Sequence, residues 1–332
     1  MGCARSGCAL FLRPAAVLAL MVQLLAHALP VGAQDGYNPP AGGDAGAAAP
    51  PAEESQAPEA GESQERHVYP ISNRVSRYLA KSLKLMQSNQ LPEARKILEQ
   101  IAGSRLLNPG ERAKVQQFLG NVSVYSNDLP GAAKHLSEAL RLDGLDPASE
   151  QQVTFQLASL YAQLADFPKA MQVLDRWFRL AAEPTPEAFY LKAVILIQMQ
   201  RLEEAVVAAE QAVALTPDPR EGWLSLLVHT YYLVKDYGKM ASTLEALVTR
   251  VPTKKSYWML LSAAYFELDR DEEARSIVQL AYRQGLLDQD REVRALARLL
   301  LANGLPYEAA GVLEKGMTAG LIPTQEDSFE LL

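Results

Sequence analysis

A small side chain recurs along this chain at a nearly constant interval. Ala205 has equivalents at Ala94, Ala132, Ala170, Met240, Ala274 and Ala309, with successive gaps of 38, 38, 35, 35, 34 and 35 residues. A second small position lies twelve residues before each of these, at Ser82, Gly120, Ala158, Ala193, Ser262 and Ala297, with Val228 as the exception. Small residues at fixed spacing allow two helices to approach closely, and a period of this length accommodates one helix–turn–helix unit. The sequence therefore predicts seven stacked helical hairpins.

The clearest unit runs from Phe189 to Pro217. Large apolar residues follow helical spacing from Phe189 to Leu196, a second helix opens at Leu202, and a proline closes the unit. This pattern resembles the tetratricopeptide repeat, and the resemblance extends over about 250 residues. It implies an all-α fold, an α-solenoid of about seven helix–turn–helix repeats forming a right-handed superhelix. In such a fold the first helix of each repeat lines the concave side.

Prolines and capping residues mark where the helices begin. Asn108 and Asp218 each precede a proline, with a glutamate three residues after the cap. This is the order of an N-cap, a proline at N1 and a glutamate at N3. We therefore expect helices to begin directly after Asn108 and Asp218.

The ends of the chain differ in composition from the repeats. Residues 1–33 carry Arg5 and Arg13, a short apolar run and small residues before Gln34, which predicts a secretory signal peptide. An uncleaved anchor is the alternative, although the run is shorter than the roughly 20 residues of a membrane span. Residues 34–70, rich in Pro, Ala, Gly and Glu, predict a disordered linker ahead of the repeat array at 71–318. Residues 319–332 predict either a C-terminal cap or the start of a truncated eighth repeat.

Composition limits the function. The formal net charge of −7 becomes −9 without residues 1–33, so the chain lacks the basic footprint of a nucleic-acid binder. Both cysteines, Cys3 and Cys8, lie in the leader, which excludes disulfides and cysteine metal sites from the mature chain. No nucleophile elbow, phosphate loop or metal-ligand spacing is present. We therefore expect no enzyme activity, no cofactor, no metal and no transmembrane span in the mature protein.

The expected concave positions of the first helices contain two notable sets of side chains. One is a run of aromatic residues, and the other is a basic stripe at spacing i, i+3 and i+7. Together with their neighbours they form a candidate peptide-binding groove of Phe155, Tyr190, Val194, Ile197, His229, Tyr232, Phe266, Arg291, Arg294 and Arg298. The hypothesis is that aromatics anchor a protein or peptide partner while arginines pair with its acidic groups. The alternative is that the aromatics cover neighbouring side chains and the arginines form a solvated face.

A narrower resemblance concerns several short segments. They are Phe118–Val122, Val173–Phe178, Tyr257–Ser262, Ala281–Leu287 and Leu305–Gly316. These segments resemble secreted bacterial tetratricopeptide proteins that are encoded beside TonB, ExbB and ExbD components. The resemblance implies a periplasmic accessory of such an energy-transducing outer-membrane transport system, with TonB, ExbB or ExbD as partners. It identifies no binding residue. A scaffold for envelope biogenesis or polysaccharide export is the alternative.

Overall fold

The computed structural model describes residues 69–322, and this part of the chain contains fourteen helices and no strand. The predicted signal peptide, nearly all of the predicted linker and residues 323–332 lie outside the described residues. None of the fourteen helices is long and apolar enough to cross a membrane. The helices are α1 Asn73–Gln87, α2 Leu91–Ala102, α3 Pro109–Tyr125, α4 Leu129–Arg141, α5 Pro147–Gln163, α6 Phe167–Leu180, α7 Pro186–Gln198, α8 Leu202–Ala214, α9 Glu221–Leu233, α10 Tyr237–Arg250, α11 Lys255–Glu267, α12 Asp271–Arg283, α13 Asp290–Ala302 and α14 Pro306–Thr318.

The helices pack in seven consecutive pairs, each formed by an odd-numbered first helix and the even-numbered second helix that follows it. The small residues that defined the period lie where each pair meets. Ala94, Ala132, Ala170, Ala205 and Ala274 are all 0 % exposed. The prediction of an all-helical solenoid of seven helix–turn–helix repeats is confirmed.

The chain divides into two compact units after residue 183. The 69–183 unit holds repeats 1 to 3, and the 184–322 unit holds repeats 4 to 7. The repeat period changes at the same place, because α3 and α5 have 17 residues each, whereas α7, α9, α11 and α13 have 13. The longer spacing of 38 residues in the sequence therefore reflects one extra turn in the first helix.

Each first helix ends in the same tight turn. The turn residue has a positive φ between 56° and 74° and is Asn89, Asn127, Ala165, Gln200, Lys235, Asp269 or Gly304. The next residue donates its N–H to a carbonyl five residues earlier, as in Asp166 N to Tyr161 O at 2.9 Å and Asp236 N to Tyr231 O at 2.9 Å. This is the Schellman arrangement, which satisfies carbonyls that the end of a helix leaves without partners.

One of the two predicted capping sites is confirmed and the other is wrong. The Asn108 side chain accepts from Glu111 N at 2.8 Å, and Glu111 in turn accepts from Asn108 N at 3.1 Å, which completes a capping box. Helix α9 instead begins at Glu221, two residues later than expected, with no side-chain cap. Asp218 forms an ion pair with Arg250 at 2.6 Å. Asp218 therefore forms an ion pair with Arg250 instead of capping the helix as the local sequence pattern had predicted.

Repeat 5 differs from the others in its core, and this generates a test of the packing. Met240 replaces the usual alanine and is 1 % exposed, so its larger side chain fills space that other repeats do not have. We expect Met240→Ala to lower the free energy of unfolding by about 2–5 kcal/mol through cavity formation. The reciprocal change Ala205→Met should cost about 1–3 kcal/mol through overpacking. Urea denaturation of both variants measures this, and a neutral Met240→Ala would contradict the assignment.

Candidate functional site

The predicted groove residues are distributed over four first helices of the 184–322 unit and one first helix of the 69–183 unit. Helix α7 carries Tyr190, Val194 and Ile197, α9 carries His229 and Tyr232, α11 carries Phe266, α13 carries Arg291, Arg294 and Arg298, and α5 carries Phe155. These residues differ in solvent exposure: some are buried, some are half-buried and some are exposed.

Three of these residues are buried and are not exposed groove residues. Val194 is 7 % exposed, Ile197 is 5 % exposed and His229 is 6 % exposed. Helix α7 is buried on nearly all sides, since every residue from Ala193 to Ile197 lies in the core. A helix enclosed in this way presents no free apolar stripe. The prediction that Val194, Ile197 and His229 line an accessible surface is therefore wrong.

Phe155 is accounted for by packing within its own unit. Its ring lies 5.6 Å from the ring of Trp177 in a tilted arrangement, and Trp177 is 4 % exposed. Aromatic pairs at this separation and tilt are favourable in protein cores. For Phe155 the structure supports the alternative in which the aromatic side chain covers its neighbours.

Tyr190, Tyr232 and Phe266 are half-buried, each on a different first helix. Tyr232 makes an edge-on contact with Tyr237, with ring centroids 6.5 Å apart. Burial raises the pKa of Tyr190 to about 12, so this hydroxyl stays protonated at neutral pH. Aromatic side chains held by their neighbours with one part still accessible lose little conformational freedom when a partner binds.

The three arginines of α13 differ in their surroundings. Arg294 donates to Asp290 at 2.5 Å, and its side chain is 18 % exposed, so its charge is already compensated. Arg291 and Arg298 are exposed and form no ion pair with any residue between 69 and 322. They lie seven residues apart, which is about two helical turns and returns to the same helix face. We name Tyr190, Tyr232, Phe266, Arg291 and Arg298 the first-helix face.

His229 carries a polar atom that is enclosed without a partner. Its Nδ1 is buried and has no hydrogen bond within the described residues. Burial lowers the pKa of His229 to about 4, because the protonated ring would place a charge where no acceptor is available. The ring is therefore neutral at physiological pH, and the positive charge of the first-helix face comes from arginine alone.

A polar cluster joining α9 and α11 was missed from the sequence. The Tyr257 hydroxyl donates to Glu221 Oε1 at 2.5 Å and lies 2.9 Å from Ser225 Oγ. Lys254 Nζ donates to the same Glu221 oxygen at 2.6 Å and to the Tyr257 hydroxyl at 3.0 Å. Hydrogen bonds from Lys254 and Tyr257 lower the pKa of Glu221. This combination of four residues does not recur at the repeat spacing elsewhere in the sequence. The sequence pattern therefore could not identify them as a cluster.

This cluster satisfies its own hydrogen-bonding groups. Tyr257 is 1 % exposed, and burial followed by the Glu221 hydrogen bond raises its pKa. We therefore assign the cluster to the junction between repeats 5 and 6.

Across residues 69–322, no group of three His, Cys, Asp or Glu side chains could hold a metal ion.

Comparison with known proteins agrees with the helix pairs. A family model for the tetratricopeptide repeat matches residues 186–219, which hold α7 and α8. The repeat-containing protein YpiA of Bacillus subtilis, also described as a tetratricopeptide protein, is 28 % identical over 184 residues, or 55 % of this chain. This chain covers 42 % of that relative's length.

Two solved structures share the architecture. A tetratricopeptide protein from Parabacteroides merdae superposes with a TM-score of 0.50 at 16 % identity, covering 79 % of this chain and 98 % of its own. The C-terminal part of a tetratricopeptide protein from Cytophaga hutchinsonii gives a TM-score of 0.55 at 13 % identity, covering 76 % and 99 %. The protein carries the tetratricopeptide-repeat fold. At these identities the solved structures establish the fold alone.

The enclosed nitrogen of His229 leads to a pH prediction. The unfolded ring has a pKa near 6.5, whereas the folded ring has a pKa of about 4. The unfolded state therefore takes up a proton that the folded state does not, and this histidine lowers stability as pH falls from about 6.5 toward 4. The loss should reach about 3 kcal/mol at pH 4.

We expect His229→Leu to be more stable than the parent at pH 7.5 and to show a smaller loss of stability between pH 6.5 and 4.5. Chemical denaturation at several pH values measures both effects. His135→Leu is the comparison variant: His135 Nδ1 lies 2.8 Å from its partner Gln116 Oε1, and burial also lowers the pKa of His135, so this variant should show a smaller change in the same direction. An unchanged pH dependence in His229→Leu would contradict the assignment.

Proposed function

We propose that this protein is a non-enzymatic protein-binding scaffold that captures its partner on the first-helix face of the 184–322 unit. The observation that carries the proposal is that the first helices of one unit carry three half-buried aromatics and two exposed arginines that have no ion partner among the described residues. Tyr190, Tyr232 and Phe266 come from successive first helices, and Arg291 and Arg298 come from the next one.

The chemistry of this face selects a type of partner. Aromatic rings that are already held in place offer apolar anchoring sites. Arginine recognises carboxylates through two parallel hydrogen bonds, and Arg291 and Arg298 are available for this. The neutral His229 adds no charge. The partner expected from this arrangement is a segment with apolar side chains followed by acidic residues.

The nonenzymatic assignment rests on how the reactive side chains are used. Glu221, Lys254 and Tyr257 hydrogen-bond to one another at a repeat junction. Tyr231 donates to Glu210 at 2.8 Å, and Tyr265 also donates to a glutamate, Glu245. These groups are engaged in contacts between neighbouring repeats, which supports a structural role for them.

We further propose that the scaffold works in the periplasm as an accessory of a TonB-type energy-transducing outer-membrane transport system. The support for this is the resemblance of Phe118–Val122, Val173–Phe178 and Tyr257–Ser262 to secreted proteins encoded with TonB, ExbB and ExbD. In this role the first-helix face would hold a TonB, ExbB or ExbD component.

Affinity capture after crosslinking in cells tests both the scaffold function and the TonB-type transport role. The bait is the full-length chain, and the test variant is the double substitution Arg291→Glu and Arg298→Glu. We expect this variant to fold normally and to recover at least tenfold less partner, because it places negative charges opposite an acidic segment. The matched control is Arg283→Glu with Lys315→Glu, which makes the same charge change at exposed positions on second helices.

The identity of the captured proteins decides the finer assignment. Recovery of TonB, ExbB or ExbD components that depends on Arg291 and Arg298 supports the transport role. Recovery of envelope-assembly or polysaccharide-export proteins overturns that role and retains the scaffold. Equal recovery with the test and control variants would overturn the first-helix face as the binding surface.

The periplasmic location has a separate test. We expect the leader to be removed before Gln34, because Val31, Gly32 and Ala33 are the small residues that signal peptidase requires. Intact-mass measurement of the protein purified from a native periplasmic fraction should give a chain starting at Gln34. A chain that retains residues 1–33 and sediments with membranes would contradict cleavage.

A further inference from the structure

Two repeats of the 184–322 unit place a glutamate between successive second helices. Tyr231 on α9 donates its hydroxyl to Glu210 on α8 at 2.8 Å, and Lys239 on α10 donates to the same carboxylate at 2.8 Å. Tyr265 on α11 makes the equivalent bond to Glu245 on α10. In each case the glutamate lies five residues after the small position that defines the repeat. The cleft between neighbouring second helices is thus built to hold a carboxylate.

The 69–183 unit has the same arrangement without the carboxylate. Tyr161 occupies the position of Tyr231, and Lys169 follows it by eight residues as Lys239 follows Tyr231. Both lysine Nζ atoms lie 5.5 Å from the centre of their tyrosine ring. The position of Glu210 is taken by Ser137, whose Oγ lies 3.0 Å from the Tyr161 hydroxyl.

Ser137 is smaller than the glutamate at the equivalent position in repeats 4 and 5, and there is open space beside it. A cleft of about 340 Å³ lies between α4, α5 and α6, with Ser137, Tyr161 and Lys169 among the residues that line it. Its lining also includes Arg141 and Arg176, and it includes no aspartate or glutamate from the described residues.

The two arginines are specific to this cleft. The position of Arg141 is occupied by Ala214 and Thr249 in the two clefts that contain a glutamate. The position of Arg176 is occupied there by Ala246 and Leu280. The cleft without an internal carboxylate therefore carries two additional arginines, which pair with Glu138 and Glu150.

Three cationic side chains of the cleft, Arg141, Lys169 and Arg176, each form an ion pair in the structure. The strength of each ion pair decides whether the cation can also bind a ligand. Arg141 pairs with Glu138 at 2.7 Å and Lys169 pairs with Asp166 at 2.6 Å, each within three residues along the chain and with mostly exposed cationic side chains. Exposed pairs are weak in general, and the Lys169–Asp166 pair is of this kind, whereas Arg141 holds Glu138 through two hydrogen bonds of 2.7 Å. Arg176 is fixed by Glu150 at 2.6 Å, and that carboxylate side chain is only 5 % exposed. The charge of Arg176 is thus compensated, and Lys169 and Arg141 must exchange their present partners to bind a ligand.

We propose that this cleft is a second binding site, which takes an aspartate or glutamate carboxylate of a partner protein in the place that Glu210 occupies in repeat 4. The bound carboxylate accepts hydrogen bonds from Tyr161 and Lys169, as Glu210 does from Tyr231 and Lys239, and Arg141 adds a charge-assisted bond. The site lies in the 69–183 unit between the second helices α4 and α6, with Tyr161 contributed by the first helix α5, and it shares no residue with the first-helix face.

Fluorescence anisotropy of a labelled hexaglutamate peptide with the full-length chain tests this site at low ionic strength, where such contacts are least screened. Ser137→Glu supplies the internal carboxylate that Glu210 and Glu245 provide in repeats 4 and 5, and we expect it to weaken binding at least tenfold. The double variant Arg141→Gln with Lys169→Gln should weaken binding to a similar extent. Ser137→Ala keeps the cleft open and should stay within threefold of the parent.

The matched control is Lys96→Gln with Lys134→Gln, which removes two exposed positive charges from the same unit outside the cleft. This control should bind the peptide like the parent. An equal loss in the control would assign binding to general electrostatics and overturn the site. Unchanged binding by Ser137→Glu, or no binding of hexaglutamate by the parent, would also overturn it.

A competition experiment tests whether the cleft binds carboxylates or phosphate. Hexaglutamate should displace the labelled peptide, and hexaglutamine should not. If inorganic phosphate binds through Ser137, Arg141 and Lys169 while hexaglutamate does not, the carboxylate assignment is wrong. The charge reversal at Arg291 and Arg298 should leave hexaglutamate binding to this cleft within threefold, so failure of one site can be told from failure of the other.

Discussion

The left-handed turn at the end of every first helix is the constraint on which the repeat depends. A single residue with positive φ reverses the chain, and the following N–H caps the helix that has just ended. Only Gly304 is the residue type that accepts this conformation without cost, whereas Ala165, Gln200 and Lys235 adopt it against their intrinsic preference. Packing of the paired helices must offset this strain, and the small residues at the pair interface allow that packing to be close.

Contacts between repeats are made by polar side chains as well as by the core. Tyrosines on first helices donate to glutamates on the preceding second helix, and Lys254 joins Glu221 across a repeat junction. A repeat protein gains stability from such nearest-neighbour contacts because each repeat touches only its neighbours. At position 137 this scheme has a serine where the equivalent positions 210 and 245 have glutamate, and a cleft lies beside it. The proposed second site would thus use a contact that the array leaves unmade.

The two surfaces that remain available differ in chemistry. The first-helix face combines half-buried aromatics with Arg291 and Arg298, whereas the cleft beside Ser137 combines cationic side chains with the apolar Leu140, Leu157 and Val173. Both are proposed to bind acidic partners, although the whole chain has a formal net charge of −7. Local groups of cationic side chains in an acidic protein can favour selective binding of acidic ligands.

The sequence alone determined the repeat, its period and its helical class, because these depend on small and apolar residues at regular spacing. Burial of the repeat-defining alanines and the Asn108 cap were predictable for the same reason. Only the tertiary structure decided which residues of the first helices are accessible. It enclosed Val194, Ile197 and His229, paired Arg294 with Asp290 and moved Asp218 from a helix cap to Arg250. It also revealed the cleft at Ser137. Exposure and pairing depend on which helices lie next to each other, and a periodic pattern carries too little information about that.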